Sequence, residues 1–206
     1  VRLRNKSAAL FALCVFALVG YILFQAFRAP VPVIVQAGHE GRTCGNTGAE
    51  CENFREEAWN IQVADEVADR LRKWHIEVKR VPAAVSYDRA KIAVSIHFDG
   101  ARRICRSGAA VGYPDNNASV RFAQKWKRLY ANYFPFKWHD DNFTENLKHY
   151  YAYRYIRAEK FVVLELGEIT CEKQRVWLEP RLKKIARLIA YAIATELGVE
   201  VEKPKL

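Results

Sequence analysis

Methionine is absent from the whole chain, position 1 included, which leads to the expectation that Val1 is a GTG start codon read literally and that the source is a prokaryote or its phage. Internal repeats and low-complexity tracts are also missing, and their absence excludes solenoids and repeat arrays. None of the five cysteines stands in a CxxC spacing, which argues against a cysteine-rich zinc site. Apolar content, by contrast, is ample. Half of the 206 residues are hydrophobic and 13% are aromatic, which excludes a disordered chain and suffices for one well-filled α/β domain with an appendage.

The appendage comes first. Residues 8–27 form an almost uninterrupted apolar run without formal charge, Gln25 being its main polar member. Such a run is long enough to cross a hydrocarbon layer about 30 Å thick at about 1.5 Å per helical residue. Arg2, Arg4 and Lys6 precede it and only Arg28 follows closely, so the positive-inside bias places the N-terminus in the cytoplasm and the rest outside. The expectation is one N-terminal transmembrane helix, a signal anchor or a cleaved signal peptide over residues 1–29, ahead of an extracytoplasmic domain over 30–206. The anchor is favoured because the run exceeds a typical signal h-region and no clear small-x-small cleavage site precedes Pro30. If the segment is cleaved, the product is secreted.

Cys14 falls inside the apolar run, which leaves Cys44, Cys51, Cys105 and Cys171 as an even set suited to an oxidising compartment. Cys44 and Cys51 flank a loop containing Gly45, Asn46, Thr47 and Gly48, so a local bridge is the simplest pairing. Cys105 then pairs with Cys171 if their strand ends are neighbours. Sequence alone does not fix this connectivity.

Acidic residues are outnumbered, and the net charge is +10. Lys125, Lys127, Arg128, Lys137, Arg154, Arg157, Lys160, Arg181, Lys183 and Lys184 spread through the second half of the chain and favour a polyanionic partner by long-range attraction. Nucleic acid is the usual such partner, but the export signal argues against it. A cell wall carrying carboxylates and phosphates suits the address better.

The outer domain reads as a βα alternation. Strands are expected at Val33 to Gln36, Ile76 to Val81, Lys91 to His97, Ala109 to Tyr113 and Phe161 to Leu166. Helices are expected at Glu56 to Lys73, Val120 to Tyr133 and Glu179 to Leu197. In the first, apolar residues recur at near-helical spacing behind Glu56 and Glu57, whose charge suits a helix N-terminus. Pro180 opens the last and Gly198 stops it. Residues 134–155 are aromatic-rich and aperiodic and remain unassigned, as a surface-covering insert or a substrate-binding wall. The fold class that follows is α/β, a single three-layer domain with a mostly parallel central sheet flanked by helices. Three of the expected strands run into His39, His97 and Glu165, and ligands of open α/β sheets bind at the strands' carboxyl ends. The pattern points to a metal hydrolase.

The stretch Val33-Ile34-Val35-Gln36-Ala37-Gly38-His39-Glu40-Gly41, then Glu56-Glu57-Ala58-Trp59-Asn60-Ile61, Ser95-Ile96-His97 and Leu164-Glu165-Leu166-Gly167 resembles, in order and spacing, the zinc-dependent N-acetylmuramoyl-L-alanine amidases of the Amidase_3 type. The resemblance implies zinc held by His39, Glu56 and His97, with Glu165 as the catalytic carboxylate. It implies hydrolysis of the amide between N-acetylmuramic acid and L-alanine in peptidoglycan, and it names no activator protein. Departures from the family pattern are Glu40 for a usual glycine, Glu57 where lysine is common, Phe98-Asp99 after the SIH triplet, Glu168-Ile169-Thr170-Cys171 in place of a phenylalanine-containing stretch, and the aromatic insert. Two readings stand beside this one: a non-catalytic wall-binding or regulatory domain on the same fold, and a phage signal-arrest endolysin with the same chemistry.

The chemistry agrees with the transfer. Two neutral imidazoles and one carboxylate hold zinc at about 2.0–2.2 Å and leave a fourth position for water, a catalytic rather than structural arrangement. Glu165 takes that water's proton and returns it to the departing amine. Taken singly, a histidine ending a strand is more often a hydrogen-bonded structural residue than a ligand, and the joint pattern reverses those odds. Glu57 complements the helix dipole, Asn60 either supports the site or faces solvent, and His75, His139 and His149 are expected on the surface.

Overall fold

The computed structural model describes residues 10–21 and 29–205. The chain divides into two units, Val1–Pro30 and Val31–Leu206. In the first, the described residues form helix α1 over 10–21. This corrects the expected transmembrane helix: among the described residues no helix is long and apolar enough to cross a membrane. At about 1.5 Å per residue α1 rises only roughly 18 Å, against about 30 Å of hydrocarbon. The remaining parts of the apolar run, residues 8–9 and 22–27, lie outside the described residues.

The second unit is built on a five-stranded sheet in the order β4-β1-β5-β7-β6, where β1 is Val31–Ala37, β4 Val78–Val81, β5 Asp88–Asp99, β6 Ala109–Gly112 and β7 Ile156–Glu168. Strands β2 (Glu50–Cys51) and β3 (Phe54–Arg55) make a separate hairpin. Pairing is parallel between β1 and β4, β1 and β5, and β5 and β7, but antiparallel between β6 and β7. The sheet is therefore mixed. Residues 100–108 are the reason: a parallel return needs a crossover of roughly a dozen residues or more, and this link is shorter.

Side chains alternate across the sheet. Val33, Val35, Ile92, Val94 and Ile96 join one apolar cluster with residues of α2 (Glu56–Lys73), α3 (Asn117–Ala131) and α6 (Leu182–Glu196), while Ile34, Ala93, Phe161 and Val163 join a second. The second is covered by the aromatic insert. Tyr150 and Tyr153 pack there, beside α4 (Glu145–Lys148) and a 3₁₀ turn at Tyr151–Arg154, so the aperiodic segment supplies the third layer.

Helix α2 has the expected bounds. Its first turn carries Glu56 and Glu57 and its last Arg70, Arg72 and Lys73, both favourable to the helix dipole. Helix α3 starts earlier than its periodicity suggests, because Asn116 Oδ1 accepts from Ser119 N at 2.8 Å and caps it. At the C-terminal end, α5 (Glu172–Leu178) and a 3₁₀ turn at Glu179–Arg181 precede α6, and Pro180 lies in that turn.

Cys105 and Cys171 form a disulfide. The expected Cys44–Cys51 bridge is absent, both thiols being free. Cys51 sits in the β2–β3 hairpin, where its sulfur accepts from Arg175 Nη1 at 3.2 Å, and Cys44 is exposed on the preceding loop. Part of the basic surface is also consumed within the fold: Lys125 and Lys160 both pair with Glu196, and Lys127 pairs with Asp141.

Candidate metal centre and catalytic cleft

Strand β1 ends beneath the site. Gly38 N donates to Ile96 O at 3.0 Å, which locks the start of the following loop onto β5. A Cβ on Gly38 would lie 2.1 Å from Cε1 of His97, so only glycine lets the imidazole lie against this backbone. His39 then adopts a left-handed φ of 64°, which turns its ring back toward the sheet edge. Its Nδ1 donates to the carbonyl of Asn46 at 2.6 Å, leaving the Nε2 lone pair for the site. Gly38→Ala is expected to displace the His97 ring and cost about 1–3 kcal/mol of stability, read as a lowered Tm.

Glu56 opens α2, and its carboxyl is 5% exposed. Oε2 accepts from Ala49 N at 2.8 Å. Oε1 accepts from Phe98 N and Asn60 Nδ2, each at 3.2 Å. The same Oε1 lies 3.2 Å from His39 Nε2 and 3.0 Å from His97 Nδ1. The two imidazoles stand edge to face, 4.9 Å between centroids. Among the described residues, His39, Glu56 and His97 form the one group of histidine, cysteine or acidic side chains whose ligand atoms converge closely enough to hold a metal ion.

Glu165 comes from β7 and is the register partner of His97 across the parallel β5–β7 pair. It lines a cavity of about 620 Å³ together with His39, Glu56, His97, Arg42 and Tyr150. Its Oε2 is buried with no hydrogen-bond partner. All four residues singled out in the sequence therefore meet in one cleft at the carboxyl ends of β1, β5 and β7.

The electrostatics follow from burial around one shared charge. Burial works against a charged Glu56, yet the hydrogen bonds and charges of His39 and His97 outweigh it and hold the carboxyl far below its usual range. For His39, too, burial opposes charge, but the Glu56 carboxylate prevails and its pKa is raised. His97 is more deeply buried, and there desolvation wins over Glu56 and lowers it. Glu165 is pushed well above the carboxylate range by burial, then by the negative charges of Glu56 and Asp99.

The departures from the family pattern have local causes. Glu40 pairs with Arg80 at 2.6 Å, which also holds Asp65. Glu57 accepts from Gly41 N at 2.9 Å and so ties the His39 loop to α2, beyond any dipole effect. Phe98 is buried and packs edge-on against Trp59, and Asp99 accepts from Ser107. Glu168 accepts from the backbone N–H groups of Cys105 and Ser107 at 2.8 and 2.7 Å, fixing the loop that the disulfide also holds.

Asn60 is fully buried and also donates to Gly38 O at 2.9 Å, so of its two expected roles it takes the supporting one. His75 takes a left-handed φ of 57° in the turn after α2, and His149 is exposed and pairs with Glu145. His139 is less free than a surface residue, since it contacts Ser107 Oγ at 3.0 Å and stacks on Phe143. Sequence reasoning missed Tyr150, whose hydroxyl lies 3.0 Å from His97 Nε2. No periodicity marks it out within the insert.

The three-layer α/β fold gathers imidazoles and carboxylates at the ends of adjacent strands into a site able to hold a metal. Residues 33–195 match the model of the Amidase_3 family, N-acetylmuramoyl-L-alanine amidase, and the chain belongs to that family. It is thus a peptidoglycan amidase by class. Among solved structures, the catalytic domain of the amidase CwlV from Bacillus (Paenibacillus) polymyxa var. colistinus superposes with a TM-score of 0.65 at 20% identity, covering 82% of this chain and 99% of that one. AmiC2 of Nostoc punctiforme gives 0.61 at 18% identity, covering 82% and 97%. The CwlD amidase from Clostridioides difficile, solved in complex with the GerS lipoprotein, gives 0.61 at 20%, covering 82% and 100%. A search of curated proteins returns no match.

Proposed function

We propose that residues 30–206 hydrolyse the amide between N-acetylmuramic acid and L-alanine, with His39, Glu56 and His97 as zinc ligands and Glu165 as the proton-transferring group. The observation that carries this reading is the approach of His39 Nε2 and His97 Nδ1 to a single carboxylate oxygen, at 3.2 and 3.0 Å, beside a buried Glu165 oxygen that has no partner. The donor set fits zinc. Bonds of about 2.0–2.2 Å to a tetrahedral ion put neighbouring ligand atoms roughly 3.3–3.6 Å apart, close to the spacing already present. Two neutral imidazoles and one carboxylate also leave a net positive centre, which favours ionisation of Glu165.

Zinc, when bound, supplies a Lewis acid for water and for the scissile carbonyl. The chain's own groups do the rest. Asn60 and the N–H groups of Ala49 and Phe98 fix the Glu56 carboxylate, and Asn46 fixes the His39 tautomer. Glu165 accepts a proton from water at its carboxylate and delivers it to the leaving nitrogen of L-alanine. Arg42 and Tyr151, on the cleft wall, offer a cation and an aromatic face to the substrate's anionic and carbohydrate portions. Work on a cell-wall polymer places the reaction outside the cytoplasm.

The test is incubation of the full chain, with zinc, on a defined muropeptide, with products read by mass spectrometry. The expected products are the free muramoyl glycan and a peptide with L-alanine at its amino end. Cleavage of any other bond, or none by the zinc-loaded protein, contradicts the reading.

A further inference from the structure

The insert that covers the second face of the sheet also lines the cleft, and its Tyr150 hydroxyl lies 3.0 Å from His97 Nε2. Behind it lies a buried polar chain inside an otherwise apolar layer. Tyr150 Oη donates to Gln36 Oε1 at 2.9 Å, and Ser95 Oγ donates to the same oxygen at 2.7 Å. The Gln36 amide has only one workable orientation. Its Nε2 faces the carbonyls of Pro82 and Ala83, both at 3.4 Å, and Tyr151 Oη at 2.9 Å, whose own proton goes to Ala83 O. Carbonyls cannot donate, so the amide must turn its NH₂ toward them and its oxygen toward Ser95 and Tyr150.

Tyr150 Oη thus has Gln36 Oε1 at 2.9 Å, Ser95 Oγ at 3.0 Å and His97 Nε2 at 3.0 Å, and Gln36 can take its proton whenever His97 carries Nε2–H. Without metal, Glu56 Oε1 at 3.0 Å accepts from His97 Nδ1–H; with Nδ1 given to a metal, the ring proton would sit on Nε2 and donate to Tyr150. We propose that Tyr150 is a positioning residue for His97, accepting Nε2–H when Nδ1 serves the metal and passing its own proton to Gln36, whose amide is oriented by the backbone carbonyls of Pro82 and Ala83. The inference rests on the reading of His97 as a zinc ligand. A partner on the second ring nitrogen of a metal-binding histidine typically changes metal affinity by about 10–100-fold.

The test uses the full chain and its Tyr150→Phe variant, which keeps the ring and removes only the hydroxyl. Zinc affinity is measured by chelator competition, and the His97 tautomer by ring ¹⁵N chemical shifts in the zinc-loaded protein. Wild type is expected to bind zinc and to show the Nε2–H form; the variant is expected to bind about 10–100-fold more weakly. Tyr153→Phe is the control, since its hydroxyl donates to Leu147 O in the same insert without touching His97, and it should leave zinc affinity unchanged. Equal zinc affinity in wild type and Tyr150→Phe overturns the proposal. So does an Nδ1–H form of His97 in the zinc-loaded wild type, a result that needs no variant to fold. A wild type that takes up no zinc overturns the underlying metal reading, and the wild-type titration alone reveals that outcome.

Discussion

Glu165→Gln is expected to lower the rate of muropeptide hydrolysis by about 10²–10⁴-fold, the usual contribution of a positioned acid–base group, with zinc uptake intact. Glutamine has the shape of glutamate and none of its capacity to carry a proton away from water. The residue does not belong to the converging ligand set, so the metal should remain. Stability should not fall either. In the metal-free fold the Glu165 carboxyl is pushed toward neutrality by burial, Glu56 and Asp99, so a neutral amide in its place forfeits no charge interaction. Rate, zinc stoichiometry and Tm measured together separate this outcome from a folding defect. A variant as fast as wild type would remove Glu165 from the mechanism.

Glu56→Gln is the second large effect, and it acts on the metal. The carboxylate is the only anion among the three converging ligand residues, and both imidazoles point at one of its oxygens. Structural zinc sites bind with apparent energies of about 10–16 kcal/mol; on that scale, loss of the one charged ligand among three is expected to cost roughly 3–4 kcal/mol, on the order of 10²–10³-fold in affinity. Glutamine retains the backbone contacts in part, which makes the loss attributable to charge. The checking measurement is the zinc-induced rise in Tm: it should be clear in wild type and shrink or vanish in the variant at the same zinc concentration. An undiminished rise would place the ion elsewhere. Metal removal from wild type with a chelator should abolish hydrolysis, and added zinc should restore it.

Legibility in the sequence varied with how local the determining physics is. Helix α2 reads directly because its apolar spacing, its acidic first turn and its basic last turn all lie within one segment. The cores of β1, β5 and β7 read as short apolar runs, and their ends point to His39, His97 and Glu165. Register explains why these residues meet, since parallel pairing sets His97 opposite Glu165. The direction of β6 was not legible, because it depends on how a short link closes in space. Nor was the role of the insert: Tyr150 and Tyr153 pack on residues at other ends of the chain, and no periodicity encodes that. Adjacent cysteines in sequence suggested a Cys44–Cys51 bridge, whereas Cys51 is held by Arg175 from α5 and the bridge joins Cys105 to Cys171, the loops after β5 and β7. The apolar N-terminal run suggested a spanning helix from composition alone, and α1 over 10–21 is too short to be one.

The most direct measurement is an anomalous difference map at the zinc edge from crystals of the zinc-loaded protein. A single strong peak about 2.0–2.2 Å from His39 Nε2, Glu56 Oε1 and His97 Nδ1 is the expected result. A peak bound by other residues, or an unoccupied cluster in zinc-saturated crystals, would contradict the account.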